Sequence, residues 1–204
     1  MPRHVVSKLN EFERVDRRFV MNVLLTSSGL ESQAIKNKFL DMLTKHVSEV
    51  KVMFIPTAAI DADAIQMLPK CMNDLLYFGI KKENITVYDL HHPIDVELSD
   101  LFDVVYICGG STQYLLNRLN ENKFSWKLLK FIRSGGVVIG VSAGAVVFAE
   151  NLEDNLGLLP CILEVHADEG APNGEYKSFE CSAISLINGQ AIIPGDDSFT
   201  VIGG

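Results

Sequence analysis

The sequence predicts a three-layer α/β fold, a mostly parallel sheet with helices on both faces. Three observations carry this. Short apolar runs rich in β-branched residues recur at Val20–Thr26, Lys51–Thr57, Ile85–Leu90, Asp103–Cys108 and Gly136–Val141. Segments with helical spacing of apolar residues separate them. Several runs pass straight into small-residue turns (Ser27-Ser28-Gly29, Gly109-Gly110-Ser111-Thr112, Ser142-Ala143-Gly144) that open the next helix. Strands alternating with helices imply a parallel sheet covered on both faces, with ligands beyond the carboxyl ends of its strands.

In chain order, residues 1–18 lack periodicity and read as a tail ahead of a single domain over 19–204. After the first strand, Ile35, Phe39, Met42, Leu43 and His46 lie at helical spacing, which predicts a helix from about Glu31 to Val47 with His46 on its face. The second strand ends at Pro56. A helix over Asp61–Phe78 follows, capped by Asp61, stopped by Gly79 and kinked or split by Pro69. His91-His92-Pro93 follows the third strand. Adjacent histidines on extended backbone point to opposite faces, so a proline-bounded loop explains them better than a shared metal. The fourth strand runs into the Gly109-Gly110 turn and a helix carrying Tyr114, Leu115, Leu116 and Leu119. A further helix, Trp126–Ser134, leads to the fifth strand. The apolar run after Ser142 is long enough for a buried helix. Cys181–Leu186, Ala191–Ile193 and Phe199–Ile202 read as a terminal antiparallel meander, with Asn188-Gly189 as its hairpin turn.

A chain of 204 residues suits one α/β domain better than two. A formal charge of −8 and a pI near 5.1 argue against nucleic acid and anionic membranes as partners. No run is long enough to span a membrane, and the polar start lacks the apolar core of a signal peptide. Cys71, Cys108, Cys161 and Cys181 are scattered without a C-x-x-C pair. They read as thiols in a reducing compartment, the cytoplasm.

Gly140-Val141-Ser142-Ala143-Gly144 sits between a strand and a helix, where it would hold Ser142 on a sharp corner at the sheet edge. Small residues there also serve close strand–helix packing, and the pattern alone separates the two poorly. The Gly109-Gly110-Ser111-Thr112 turn puts backbone N–H groups at a helix start, a place for an anion or oxyanion, or else is a turn that needs positive φ. Both fall at strand ends on the same edge, which strengthens each. His166 closes the strand-like Ile162–His166 run downstream of the serine, where a hydrolase would place its base.

Phe54-Ile-Pro-Thr-Ala58, Cys108-Gly-Gly-Ser-Thr-Gln113, Gly140-Val-Ser-Ala-Gly-Ala145 and Leu156-Gly-Leu-Leu-Pro160 followed by His166 resemble the peptidase E and cyanophycinase group. That group belongs to the class I glutamine amidotransferase-like (flavodoxin-like) fold. The resemblance covers roughly residues 20–204. It implies a serine hydrolase of small peptides, peptidase E itself favouring N-terminal aspartate, with no metal or organic cofactor. It carries over Ser142 as nucleophile, His166 as base, and the Gly109-Gly110 turn (with Ser111 and Thr112) plus the Ala143 amide as oxyanion and substrate site. In the peptidase E pattern the triad's acid lies between serine and histidine, an interval that is short here. It holds Glu150, Glu153 and Asp154, with Asp168 just beyond His166; of these Asp154 is favoured as the acid. Recognition of an aspartyl carboxylate favours arginine, yet this chain has none after Arg133 and only Lys177 as a lysine there. Aspartyl specificity is therefore not expected to follow from the resemblance. A non-catalytic domain of the same fold, binding a metabolite or partner protein, is the rival. Glutamine amide transfer ordinarily uses cysteine where this chain has Ser142. The oligomeric state stays open, a homodimer among the options.

Overall fold

The computed structural model describes residues 21–204, so the tail expected at 1–18 lies outside the described residues. In chain order the elements are β1 (Val23–Thr26), α1 (Gln33–Met42), β2 (Val52–Ile55), α2 (Ala62–Tyr77), β3 (Ile85–Val87), α3 (Leu98–Leu101), β4 (Val104–Ile107), α4 (Thr112–Glu121), α5 (Phe124–Arg133), β5 (Val137–Val141), α6 (Ala143–Val146), β6 (Ile162–Glu164), β7 (Gly174–Lys177), β8 (Ala183–Ser185), β9 (Gln190–Pro194) and β10 (Ser198–Gly203). The main sheet has the order β3-β2-β4-β5-β1-β9-β10-β7. Its first five strands are parallel, and the last three add on in antiparallel fashion.

Every residue of β1, β2, β4 and β5 is buried. Successive side chains of a strand point to opposite faces, and here both faces are covered. That is why these strands read as unbroken apolar runs rather than alternating ones. Val23, Leu25, Met53, Ile55, Val105, Ile107 and Val138 meet α4 and α5 through Leu115, Leu119, Phe124, Leu128 and Phe131. The intervening Leu24, Val52, Phe54, Val104, Tyr106 and Ile139 meet α1 and α2 through Ile35, Phe39, Cys71 and Leu75.

Four local expectations are corrected. The first helix stops at Met42, and His46 instead caps a 3-10 turn, its Nδ1 accepting from the Ser48 N–H at 3.4 Å. Helix α2 is not split at Pro69, whose ring lies on the exposed side, where water can take up the carbonyl it leaves without a partner. The run after Ser142 makes only the short α6. The returning chain uses the carbonyls that would extend it, Leu156 N–H donating to Val147 O at 2.9 Å and Leu158 N–H to Phe148 O at 3.0 Å. Asn188-Gly189 does form a β-turn, with Gln190 N–H donating to Ile187 O at 3.1 Å and Gly189 at φ 82°. It is not a hairpin, because β8 pairs in parallel with β6 in a separate two-stranded sheet while β9 joins the main one.

Candidate active site

Three neighbouring strands, β4, β5 and β1, end together at the middle of the carboxyl edge. Ser142 follows β5 with φ 51° and ψ −114°, a region that costs a non-glycine residue about 1–3 kcal/mol. The surroundings enforce it. Ser142 N–H donates to Thr26 O at 2.9 Å, and Ser142 O accepts from Ala145 and Val146 N–H at 2.8 and 3.0 Å. The two flanking glycines are required by contact. A Cβ at position 140 would stand 2.3 Å from Gly144 O, and one at position 144 would stand 2.4 Å from Ile107 O. The chain therefore turns tightly enough to lift the Ser142 hydroxyl above the edge, half-buried.

The turn after β4 lies against this hydroxyl. A Cβ on Gly109 would sit 3.0 Å from Ser142 Cβ and 3.5 Å from its Oγ. Ser111 N–H donates to Ala58 O at 2.8 Å, holding the turn to the loop after β2, while Ser111 Oγ caps α4 through the Tyr114 N–H at 3.4 Å. Thr112 is the first residue of α4. Ala143 N–H, at the start of α6, has no protein acceptor among the described residues. Cys108, directly before the turn, is fully buried, and burial pushes its thiol far above the ordinary range. It is a packing residue, not a rival nucleophile.

The exposed His166 ring completes the arrangement, its Nε2 2.9 Å from Ser142 Oγ. Its backbone is in the left-handed region at φ 57°, where histidine is better tolerated than most residues. Two bonds clamp it: His166 N–H donates to Ser27 Oγ at 2.8 Å, and Ala167 N–H donates to Leu186 O at 3.1 Å. Behind the ring, Nδ1 is 2.7 Å from Asn188 Oδ1. The turn carrying Asn188 is moored to the same loop as His166. Gly189 N–H donates to Ser28 Oγ at 3.0 Å, and Ser27 N–H donates to Gln190 O at 3.0 Å.

The group behind the His166 ring is thus an amide, and Asp154 does not stand there. The interval between serine and histidine folds back on the elbow and reaches α4, where Asp154 O accepts from Asn120 Nδ2 at 3.2 Å. Asp154 lines a separate polar hollow of about 630 Å³ with Gln113, Asn117, Asn120 and Asn151. Glu153 lines the same hollow. Glu150 and Asp168 make no hydrogen bond to His166. Ser27 and Asn188, absent from the candidates read in the sequence, also meet His166. Each looked like ordinary turn chemistry, and only the meeting of two turns distant in sequence gives them a part.

A charged cluster flanks the site. Lys70 of α2 pairs with Glu31, whose other oxygen accepts from Ser28 Oγ at 2.6 Å, and Lys70 Nζ also donates to Ser28 O at 3.2 Å. Burial alone would raise the Glu31 carboxyl, but the bonds from Lys70 and Ser28, with the charges of Lys70 and His166, hold it below the ordinary range. Asp74 behaves oppositely. Burial pushes it up, against the lowering bonds from Leu30 N–H at 3.0 Å and Tyr106 O–H at 3.2 Å. Folding therefore favours its protonated form, so the stability it contributes is present below the unfolded carboxyl range and lost as pH rises through the folded pKa. Asp74→Asn should accordingly melt above the parent at neutral pH, the gap closing on acidification. Thermal melts across the acid-to-neutral range test this; a gap that widens in acid would refute it.

A sequence model of peptidase family S51 matches residues 23–157, the span from β1 through the elbow. The chain belongs to that family. It is 27% identical over 118 residues to an uncharacterized peptidase of Pasteurella multocida, covering 56% of this chain and 55% of that one. It is likewise 27% identical over 134 residues to an uncharacterized peptidase of Listeria innocua, covering 64% and 61%. The matched stretch thus spans a little over half the length of these relatives. Two solved structures share the fold. A putative peptidase E protein from Listeria monocytogenes superposes with a TM-score of 0.68 at 21% identity, over 91% of this chain and 99% of that one. A peptidase from an acI-B1 actinobacterium gives 0.63 at 18% identity, over 92% and 90%. This S51 chain has no helix among the described residues long and apolar enough to cross a membrane.

Proposed function

We propose that this S51 chain is a serine hydrolase that cleaves small peptides through an acyl-serine intermediate. The carrying observation is the 2.9 Å approach of His166 Nε2 to Ser142 Oγ on an enforced elbow. With the proton on Nδ1, Nε2 takes the hydroxyl proton as Oγ attacks the scissile carbonyl. The oxyanion is received by backbone N–H groups of the Gly109-Gly110 turn and Ala143, with Ser111 and Thr112 shaping the rim. The imidazolium then protonates the leaving amine, and water hydrolyses the acyl-serine by the reverse route.

A purely binding domain of this fold has no need to hold an imidazole against a serine hydroxyl, and the family supports catalysis over binding. Lys70, a cation beside this edge, is already paired with Glu31, which supports small peptides in general over N-terminal aspartate. Four free thiols support a reducing compartment such as the cytoplasm.

A fluorophosphonate probe tests the reading directly. The expected result is covalent labelling of Ser142, shown by peptide mass, and no labelling of Ser142→Ala. Intact folded protein that leaves Ser142 unlabelled at mildly alkaline pH would sink it.

A further inference from the structure

We propose that Asn188 is the positioning residue of the site, its side-chain carbonyl doing for His166 what a carboxylate does in a charged triad. This rests on the hydrolase reading above. The amide presents Oδ1 to Nδ1 at 2.7 Å. A carbonyl can only accept, so it holds the ring proton on Nδ1 and leaves the Nε2 lone pair facing Ser142 Oγ. The loop after β1 sets this spacing, since Ser27 grips the His166 backbone while Ser27 and Ser28 grip the turn bearing Asn188.

An amide differs from a carboxylate in two respects. It is neutral, so it orients the imidazole but does little to stabilise the imidazolium that forms during attack. It also has a second face. Rotated by half a turn, Asn188 would offer Nδ2–H to Nδ1, drive the ring proton to Nε2 and switch the base off. Nδ2 has no protein partner among the described residues to oppose that rotation. The other charged groups around the ring are Glu31 on the loop after β1, its partner Lys70 on α2, and Asp168 and Glu169 on the histidine's own loop. None of them bonds to the ring, so among these groups residue 188 alone fixes which ring nitrogen holds the proton.

The experiment compares parent, Asn188→Asp and Asn188→Ala by two readouts. The first is the pH profile of the rate at which a fluorophosphonate labels Ser142. The second is nitrogen NMR of the His166 ring, assigned by its absence in His166→Gln. Asn-Gly peptides exchange the side-chain amide for an acid (water in, ammonia out), so each preparation is checked at residue 188 by mass spectrometry. The parent ring should carry its proton on Nδ1. Asn188→Ala should populate both tautomers and label about 10-fold more slowly or worse. Asn188→Asp should label about 10-fold faster, with the profile's apparent pKa raised by about 1 unit or more. Equal rates, profiles and ring signals in all three proteins would overturn the inference. A parent ring protonated on Nε2 would do the same. Failure of the hydrolase reading looks different: no variant labels at Ser142, while the tautomer shift between parent and Asn188→Ala is still seen.

Discussion

His166→Gln is expected to slow fluorophosphonate labelling of Ser142, and hydrolysis of any peptide substrate, by about 10⁴-fold or more, since nucleophile and base act as one unit. The protein should stay folded. Both backbone bonds that clamp residue 166, from its own N–H to Ser27 Oγ and from Ala167 N–H to Leu186 O, survive the substitution. Circular dichroism and a thermal melt close to the parent's would separate lost chemistry from lost structure. A variant labelling within a few-fold of the parent would mean that the 2.9 Å contact to Ser142 carries no proton. The same comparison constrains Asn188. A positioning residue cannot matter more than the base it positions, so Asn188→Ala must cost less than His166→Gln.

The largest stability effect is expected at Gly110. Its φ is +135°, and a Cβ there would lie 2.0 Å from Ala58 O and 2.4 Å from Ala58 C. Both are backbone atoms, which cannot swing aside as a side chain can. Gly110→Ala therefore has to push the turn away from the loop after β2, straining the Ser111 N–H to Ala58 O bond that holds the two together. Backbone strain and displacement together should cost about 3 kcal/mol or more, lowering the melting temperature by about 6–12 °C. Labelling of Ser142 should fall with it, because Gly109, adjacent in the turn, packs against Ser142. Gly79→Ala is the control. Its φ is +88°, but nothing lies within 4 Å of the added Cβ, so it reports the backbone term alone, about 1 kcal/mol. Similar losses at both positions would show that contact with Ala58 is not what governs Gly110.

Much of this protein could be read from local pattern. The short, β-branched apolar runs at 52–55, 104–107 and 137–141 fit strands covered on both faces, and the helices between them imply a parallel sheet. Small residues around 109–110 and 140–144 marked two turns where chain must pass close to chain. Both lie at the edge where Ser142 stands. Short-range errors have short-range causes. The helix expected after Ser142 was cut short because the chain at 156–158 took its carbonyls, a competition that periodicity cannot register. Pro69 does not split α2, because the carbonyl it leaves unpaired is on the exposed side, within reach of water.

The sequence by itself determined the class of fold, the elbow serine and the candidate base, because each follows from side-chain spacing over a few residues. Only the tertiary structure decided what stands behind that base. Asp154 was favoured for its place in the chain, but its segment returns to α4 and ends in a different hollow. Asn188 reaches Nδ1 because its turn is tied to Ser27 and Ser28, about 160 residues earlier in the chain, by bonds from Gly189 and to Gln190. Chain separation says nothing about such a contact, which is fixed by β9 pairing against β1 and drawing the turn over the sheet edge.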